Sequence, residues 1–171
     1  MRILGIDPGV ATTGWGVIED GDDSNPVGFK VLDFGVITTS AGTQLPSRLS
    51  IIYDDMIQLI KQFSPDHVSV EKLFFCKNLK TAMSVGEARG VIMLAIEKSK
   101  LEFSEFTPLQ IKQGVCGYGK ADKKQVQTMV AQLLGLDEIP KPDDAADALA
   151  AAICGASTIS TAEKIKLSQM K

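Results

Sequence analysis

The chain has 171 residues, 44% of them hydrophobic, with 18 Lys and Arg against 21 Asp and Glu for a net charge of −3 at pH 7. That length suits one medium domain with its own core, and no apolar run reaches the ~18 residues of a membrane helix. A slightly acidic balance excludes polyanion binding through bulk charge, so any nucleic-acid contact has to come from local basic patches.

Along the chain, Arg2 to Asp7 alternates and is β-rich, Thr12 to Glu19 follows the Pro8-Gly9 turn, and Phe29 to Thr39 follows a turn-forming stretch around Gly21 to Pro26. These three read as an antiparallel meander. From Leu45 the period changes: Leu49, Ile52, Tyr53, Met56, Ile60 and Phe63 recur at helical steps, and Ser64-Pro65 ends the helix. His67 to Glu71 is a second buried strand that, like the first, finishes on an acid. Asn78 to Lys100 reads as a long helix and Glu102 to Phe106 as a fifth strand. Two short helices, Leu109 to Val115 and Lys123 to Leu134, flank Gly117-Tyr118-Gly119. The last predicted element is a helix over Pro142 to Ala156, with Pro142, Asp143 and Asp144 at its start. A single domain over 1–157 is expected, with 158–171 a polar, flexible tail.

The order predicts an α/β fold, a mixed five-stranded sheet whose antiparallel region continues into parallel crossovers flanked by helices. Ligands of such sheets collect at the carboxyl ends of the parallel strands. Asp7 and Glu71 are each the last residue of a predicted strand, and they face one another if those strands are neighbours. Asp144 and Asp147, three apart, share one helix face among alanines small enough to let that helix lie close to the sheet. Four carboxylates without matching bases raise one another's pKa, and a hard divalent cation resolves the conflict. Oxygen donors suit Mg²⁺ or Mn²⁺, whereas a single His and scattered Cys cannot furnish a zinc site. Two such ions ~3.5 to 4 Å apart serve an in-line phosphoryl displacement.

Each residue also has a plainer reading. Asp7 before Pro8-Gly9 suits a turn, Glu71 a strand-end charge, and Asp144 and Asp147 a helix cap, although Asp147 lies beyond the first turn. The N-terminus lacks the features of a secretory signal, so a cytoplasmic location is expected. Cys76, Cys116 and Cys154, with no C-x-x-C pair, read as reduced thiols, and His67 as structural.

Four blocks carry a more specific signal: GIDPGVATTGWG at the start, Val70 to Phe74, the stretch from Lys112-Gln113 through GYGKADKKQV, and Asp144-Ala-Ala-Asp147-Ala-Leu-Ala. In this order, over about residues 1 to 155, they resemble the bacterial RuvC family of Holliday-junction resolvases. The resemblance implies a ribonuclease H-like fold and a homodimer that makes paired, symmetric nicks in a four-way DNA junction. It implies two Mg²⁺ per site, replaceable by Mn²⁺, and 5′-phosphate with 3′-hydroxyl products. It puts the four catalytic, metal-holding acids on Asp7, Glu71, Asp144 and Asp147, leaving Asp143 as a helix-start charge or outer neighbour. Lys112 and Lys123 match basic positions near the active site. By their place in the chain, Lys120 and Lys124, or Lys72, Lys77 and Lys80 after Glu71, are further candidates for phosphate contact. Phe74, with Phe75 beside it, matches the aromatic that stacks on bases at the opened junction. The family's branch-migration motor, RuvA and RuvB, is the implied partner, and the helix from Asn78 to Lys100 the candidate dimer contact. Three other readings stand beside this one. They are a non-catalytic junction-binding module, a generic ribonuclease H, and a nucleotide-binding domain of the actin-like or sugar-kinase type suggested by the glycine-rich opening.

Overall fold

The computed structural model describes residues 1–21, 26–72 and 79–169. Its elements are β1 (Arg2–Asp7), β2 (Thr12–Asp20), β3 (Phe29–Thr38), α1 (Leu45–Phe63), β4 (His67–Glu71), α2 (Leu79–Lys98), β5 (Glu102–Phe106), α3 (Pro108–Cys116), α4 (Lys123–Leu133) and α5 (Asp143–Gln169). The strands form one five-stranded sheet in the order β3-β2-β1-β4-β5. β1 pairs antiparallel with β2 and parallel with β4, so the sheet is mixed, as the element order predicts.

Because β1 is central, both its faces are covered, and its alternation divides the apolar residues between two cores. Ile3 packs with Ile18, with Leu149 and Ile153 of α5, and with Ile111, Val126 and Val130 of α3 and α4. Leu4, Ile6 and Val17 pack on the other face against Ile52 and Met56 of α1 and Ile92 and Ile96 of α2. Each large aliphatic side chain buried this way contributes ~1.5 to 3 kcal/mol relative to exposure.

The layer under α5 is unusually thin. Ala145, Ala146, Ala148, Ala150, Ala151 and Ala152 are fully buried, and the sheet meets them with glycine. A Cβ added at Gly5 would lie 2.0 Å from the Ala148 carbonyl oxygen, and one at Gly14 1.9 Å from that of Asp144. No side chain fits at either position, so the α5 backbone rests directly on β1 and β2.

Local signals set the element ends. α1 stops where Ser64 turns left-handed (φ 45°) and its N–H bonds Ile60 O at 2.9 Å. α3 and α4 each start with a capping box, Thr107 with Gln110 and Asp122 with Gln125. α5 differs from expectation at both ends. It begins at Asp143, after a cis Lys141–Pro142 bond, and runs to Gln169 instead of ending at Ala156. Among the described residues no helix is long and apolar enough to cross a membrane. Cys116 and Cys154 are free thiols, and burial followed by the nearby Glu71 charge pushes Cys154 up to about 12, in keeping with a packed, inert side chain. Cys76 lies outside the described residues.

Candidate active site

Strand period two decides which side chains meet α5. Gly5 of β1 faces Ala148 and Ala152, and Ser69 of β4 faces Gly155, so Asp7 and Glu71, two residues further along each strand, point to the same side. The parallel register pairs Ile6 with Val70, which makes Asp7 and Glu71 neighbours across the strand ends. On the other flank Asp7 pairs with Gly14, the glycine that lets the Asp144 backbone approach. Asp144 therefore stands over β2 beside Asp7, with Asp147 one turn along α5.

The electrostatics follow from this crowding. Burial, then the Glu71, Asp147 and Asp144 charges in that order, raise Asp7 to about 8, with Lys123 opposing. Burial and then Asp147 raise Glu71 to about 7, against a hydrogen bond with Asp7 and the charges of Lys123 and Lys112. Asp7 and Glu71 thus share a hydrogen bond, and both carboxyls stand well above the ordinary carboxylate range. Burial also raises Asp147, although Lys123 pulls the other way. Lys123 Nζ stands 3.2 Å from Asp147 Oδ2 and 3.3 Å from Asp143 Oδ2. Burial works against its charge, but these two partners outweigh burial and its pKa is raised.

A cavity of about 250 Å³ opens at this point, lined by Glu71, Pro108, Ile111, Lys112, Lys123, Val126 and Asp147. Two of the sequence-predicted lysines, Lys112 and Lys123, are thereby brought to the acids. Lys124 is turned away and lines a separate cavity of about 420 Å³ with Cys116, Tyr118 and Gln125. This second cavity is larger and more apolar, but it is the smaller one that the strand-end carboxylate Glu71 lines, which makes that one the candidate site. Lys120 is exposed on the α3–α4 loop, and Lys72 is exposed just past β4. Phe74, Phe75 and Lys77 lie outside the described residues. His67 bonds Ser104 Oγ at 2.9 Å across β4 and β5, a structural role.

Among the described residues no three His, Cys, Asp or Glu side chains close into a tight metal-binding group. The donor set nevertheless fits a hard divalent cation: it is all carboxylate oxygen, and burial followed by the charges of neighbouring acids raises Asp7 to about 8 and Glu71 to about 7, a cost that a cation would offset. The sequence reading missed two contributors. Gly14 was legible as a glycine in a strand directly opposite Asp7, a position that signals close backbone approach. The ion pair between Lys123 and Asp143 had no sequence signal, because it depends on how α4 meets α5.

Comparison with known proteins follows the same outline. The profile of the family described as Crossover junction endodeoxyribonuclease RuvC matches residues 3–155. The Caldicellulosiruptor saccharolyticus crossover junction endodeoxyribonuclease RuvC is 54% identical over 154 residues, which cover 90% of this chain and 91% of that protein. The solved structure of Thermus thermophilus RuvC superposes with a TM-score of 0.81 at 34% identity, covering 90% of this chain and 92% of that one. T. thermophilus RuvC in complex with Holliday junction substrate superposes with a TM-score of 0.79 at 31% identity, covering 90% and 91%. The fold is the ribonuclease H-like one expected from the sequence.

Proposed function

The chain belongs to the RuvC family of crossover junction endodeoxyribonucleases, and from that membership we propose that Asp7, Glu71, Asp144 and Asp147 are its catalytic, metal-holding acids. Its activity is that of a Holliday-junction resolvase, a nuclease of DNA recombination and repair whose substrate is the four-way junction. The family's nucleases are metal-dependent. The observation that carries the site assignment is the pair of buried carboxylates at adjacent parallel strand ends, with two more acids presented by α5.

Two Mg²⁺ ions, or Mn²⁺ in their place, are proposed to be held by the four acids; when bound, such ions activate a water and stabilise the leaving 3′ oxygen. The chain's own residues do the remainder. Asp7 and Glu71 release their protons to become ligands, which ties cleavage to pH. Lys112 and Lys123, at the cavity wall, neutralise the scissile phosphate and the charge that develops on it. Lys120 and Lys124 contact phosphates further along the strand, and Phe74 stacks on an unpaired base.

Paired nicks require two such sites facing opposed strands, hence a homodimer. α2 supports this reading: Met83 is 71% and Leu94 48% exposed, and a Cβ at Gly86 or Gly90 would meet nothing. An apolar, low-relief stripe of this kind suits a second copy of the same helix. A cytoplasmic location, a single nuclease domain over 1–157 and cooperation with RuvA and RuvB complete the proposal.

The test compares a labelled four-way junction with linear duplex of the same sequence, each with Mg²⁺ or EDTA, using the native chain and Asp7→Asn. Paired, ligatable nicks in the junction alone, absent with EDTA and in the variant, are expected. Cleavage by Asp7→Asn at the native rate would sink the assignment of the acids.

A further inference from the structure

One ammonium, that of Lys123, is shared almost evenly between two carboxylates at 3.2 and 3.3 Å. The partners differ in setting. Asp147 is 25% exposed and forms part of the wall of the active-site cavity with Glu71, whereas Asp143 is 62% exposed and lies outside it. Four residues apart on α5, they sit one above the other on a single helix face. Lys123 approaches from the first position of α4, whose start is fixed by the Asp122–Gln125 capping box. Its stem is therefore anchored while its head has two places to go.

We propose that Asp143 is a positioning residue that acts through Lys123. It gives the ammonium an anchor outside the acid cluster, so Asp147 can turn to a divalent cation while Lys123 stays at the cavity mouth, where a phosphate would enter. Without Asp143, Lys123 keeps its ion pair with Asp147 and competes with the cation for that carboxylate, within a field it already shares with Asp7 and Glu71. This rests on the reading of Asp7, Glu71, Asp144 and Asp147 as the metal-holding acids.

The experiment is Mn²⁺ binding to the full chain without DNA, followed by the electron paramagnetic resonance signal of the free ion at fixed pH and ionic strength. Exposed ion pairs have modest coupling, so Asp143→Asn is expected to weaken Mn²⁺ binding about three- to fivefold in the native background and less than about 1.5-fold beside Lys123→Gln. Asp143→Glu, which keeps the anchor, is expected to bind within about twofold of native. Equal losses with and without Lys123 would overturn the proposal, because Asp143 would then act directly as a charge on the ion; an unchanged affinity in Asp143→Asn would overturn it too. Asp7→Asn in the same series separates the two levels. Undiminished binding there refutes the acid site itself, whereas loss there with equal Asp143→Asn losses refutes only the anchor. Circular dichroism identifies any misfolded variant, and Asp143→Ser, which also favours a helix start, then replaces the Asn.

Discussion

Asp7→Asn is expected to make the metal-free protein more stable near neutral pH, and the gain can be worked from the site. Asp7 moves from an ordinary 3.8 to about 8 on folding. A carboxyl raised in this way binds its proton more tightly in the folded state. Its contribution is complete below about pH 4, where both states are protonated, and is lost progressively as pH rises, until it is gone above about pH 8. Between pH 5 and pH 7 the unfolded chain has lost the proton and the folded chain keeps most of it. Each unit in that window therefore removes about 1.4 kcal/mol, or about 3 kcal/mol across it. Asparagine copies the protonated shape without the titration. Urea denaturation in EDTA at pH 5 and pH 7 measures the difference: the native chain should lose on the order of 3 kcal/mol more than the variant over that interval. Added Mg²⁺ should recover stability in the native chain and little in Asp7→Asn. Parallel pH profiles for the two proteins would mean that Asp7 is not desolvated and crowded as described, and the metal argument would lose its electrostatic basis.

Other expectations follow from the same geometry. Under limiting Mg²⁺, junction cleavage should rise with pH through the range of about 7 to 8 in which Glu71 and Asp7 ionise, and saturating Mg²⁺ should move that rise to lower pH; a flat profile would contradict the shared protons. Gly14→Ala should unfold the chain or push α5 off β2, because its Cβ would meet the Asp144 carbonyl at 1.9 Å, and thermal melting beside cleavage rates distinguishes these outcomes. Lys124→Ala should lower the salt slope of junction binding by roughly 0.9 while leaving the cleavage rate of bound junction unchanged, since it lines the neighbouring cavity and not the acid pocket. Met83→Glu with Leu94→Glu should convert a dimer to monomer in sedimentation, and an unaltered dimer would move the contact away from α2.

The sequence carried the parts of this fold that depend on period and position. Alternation located the strands, and two strands ending in acids predicted that two carboxylates would meet, because a parallel register needs no more than adjacency to bring Asp7 beside Glu71. The D-x-x-D spacing placed two further acids on one helix face for an equally local reason. What stayed hidden depends on rotation between elements. Lys123 and Lys124 are consecutive and chemically alike, yet about 100° of helix separates them, so one meets Asp147 and the other a different cavity. Periodicity within α4 cannot say which is which until α5 has docked, and docking is set by glycines on β1 and β2. The length of α5 was missed for a different reason. The loss of an apolar stripe predicts its end near Ala156, but a helix already nucleated on the sheet continues where nothing breaks it: Ile159 still packs against the core, and residues 157–169 contain no Gly or Pro. Amphipathicity reports where a helix is held against the core, not where it ends. For the proposed site this distinction is harmless, since both acids lie in the first two turns, where the Gly14 contact fixes the helix to the strand that pairs with Asp7.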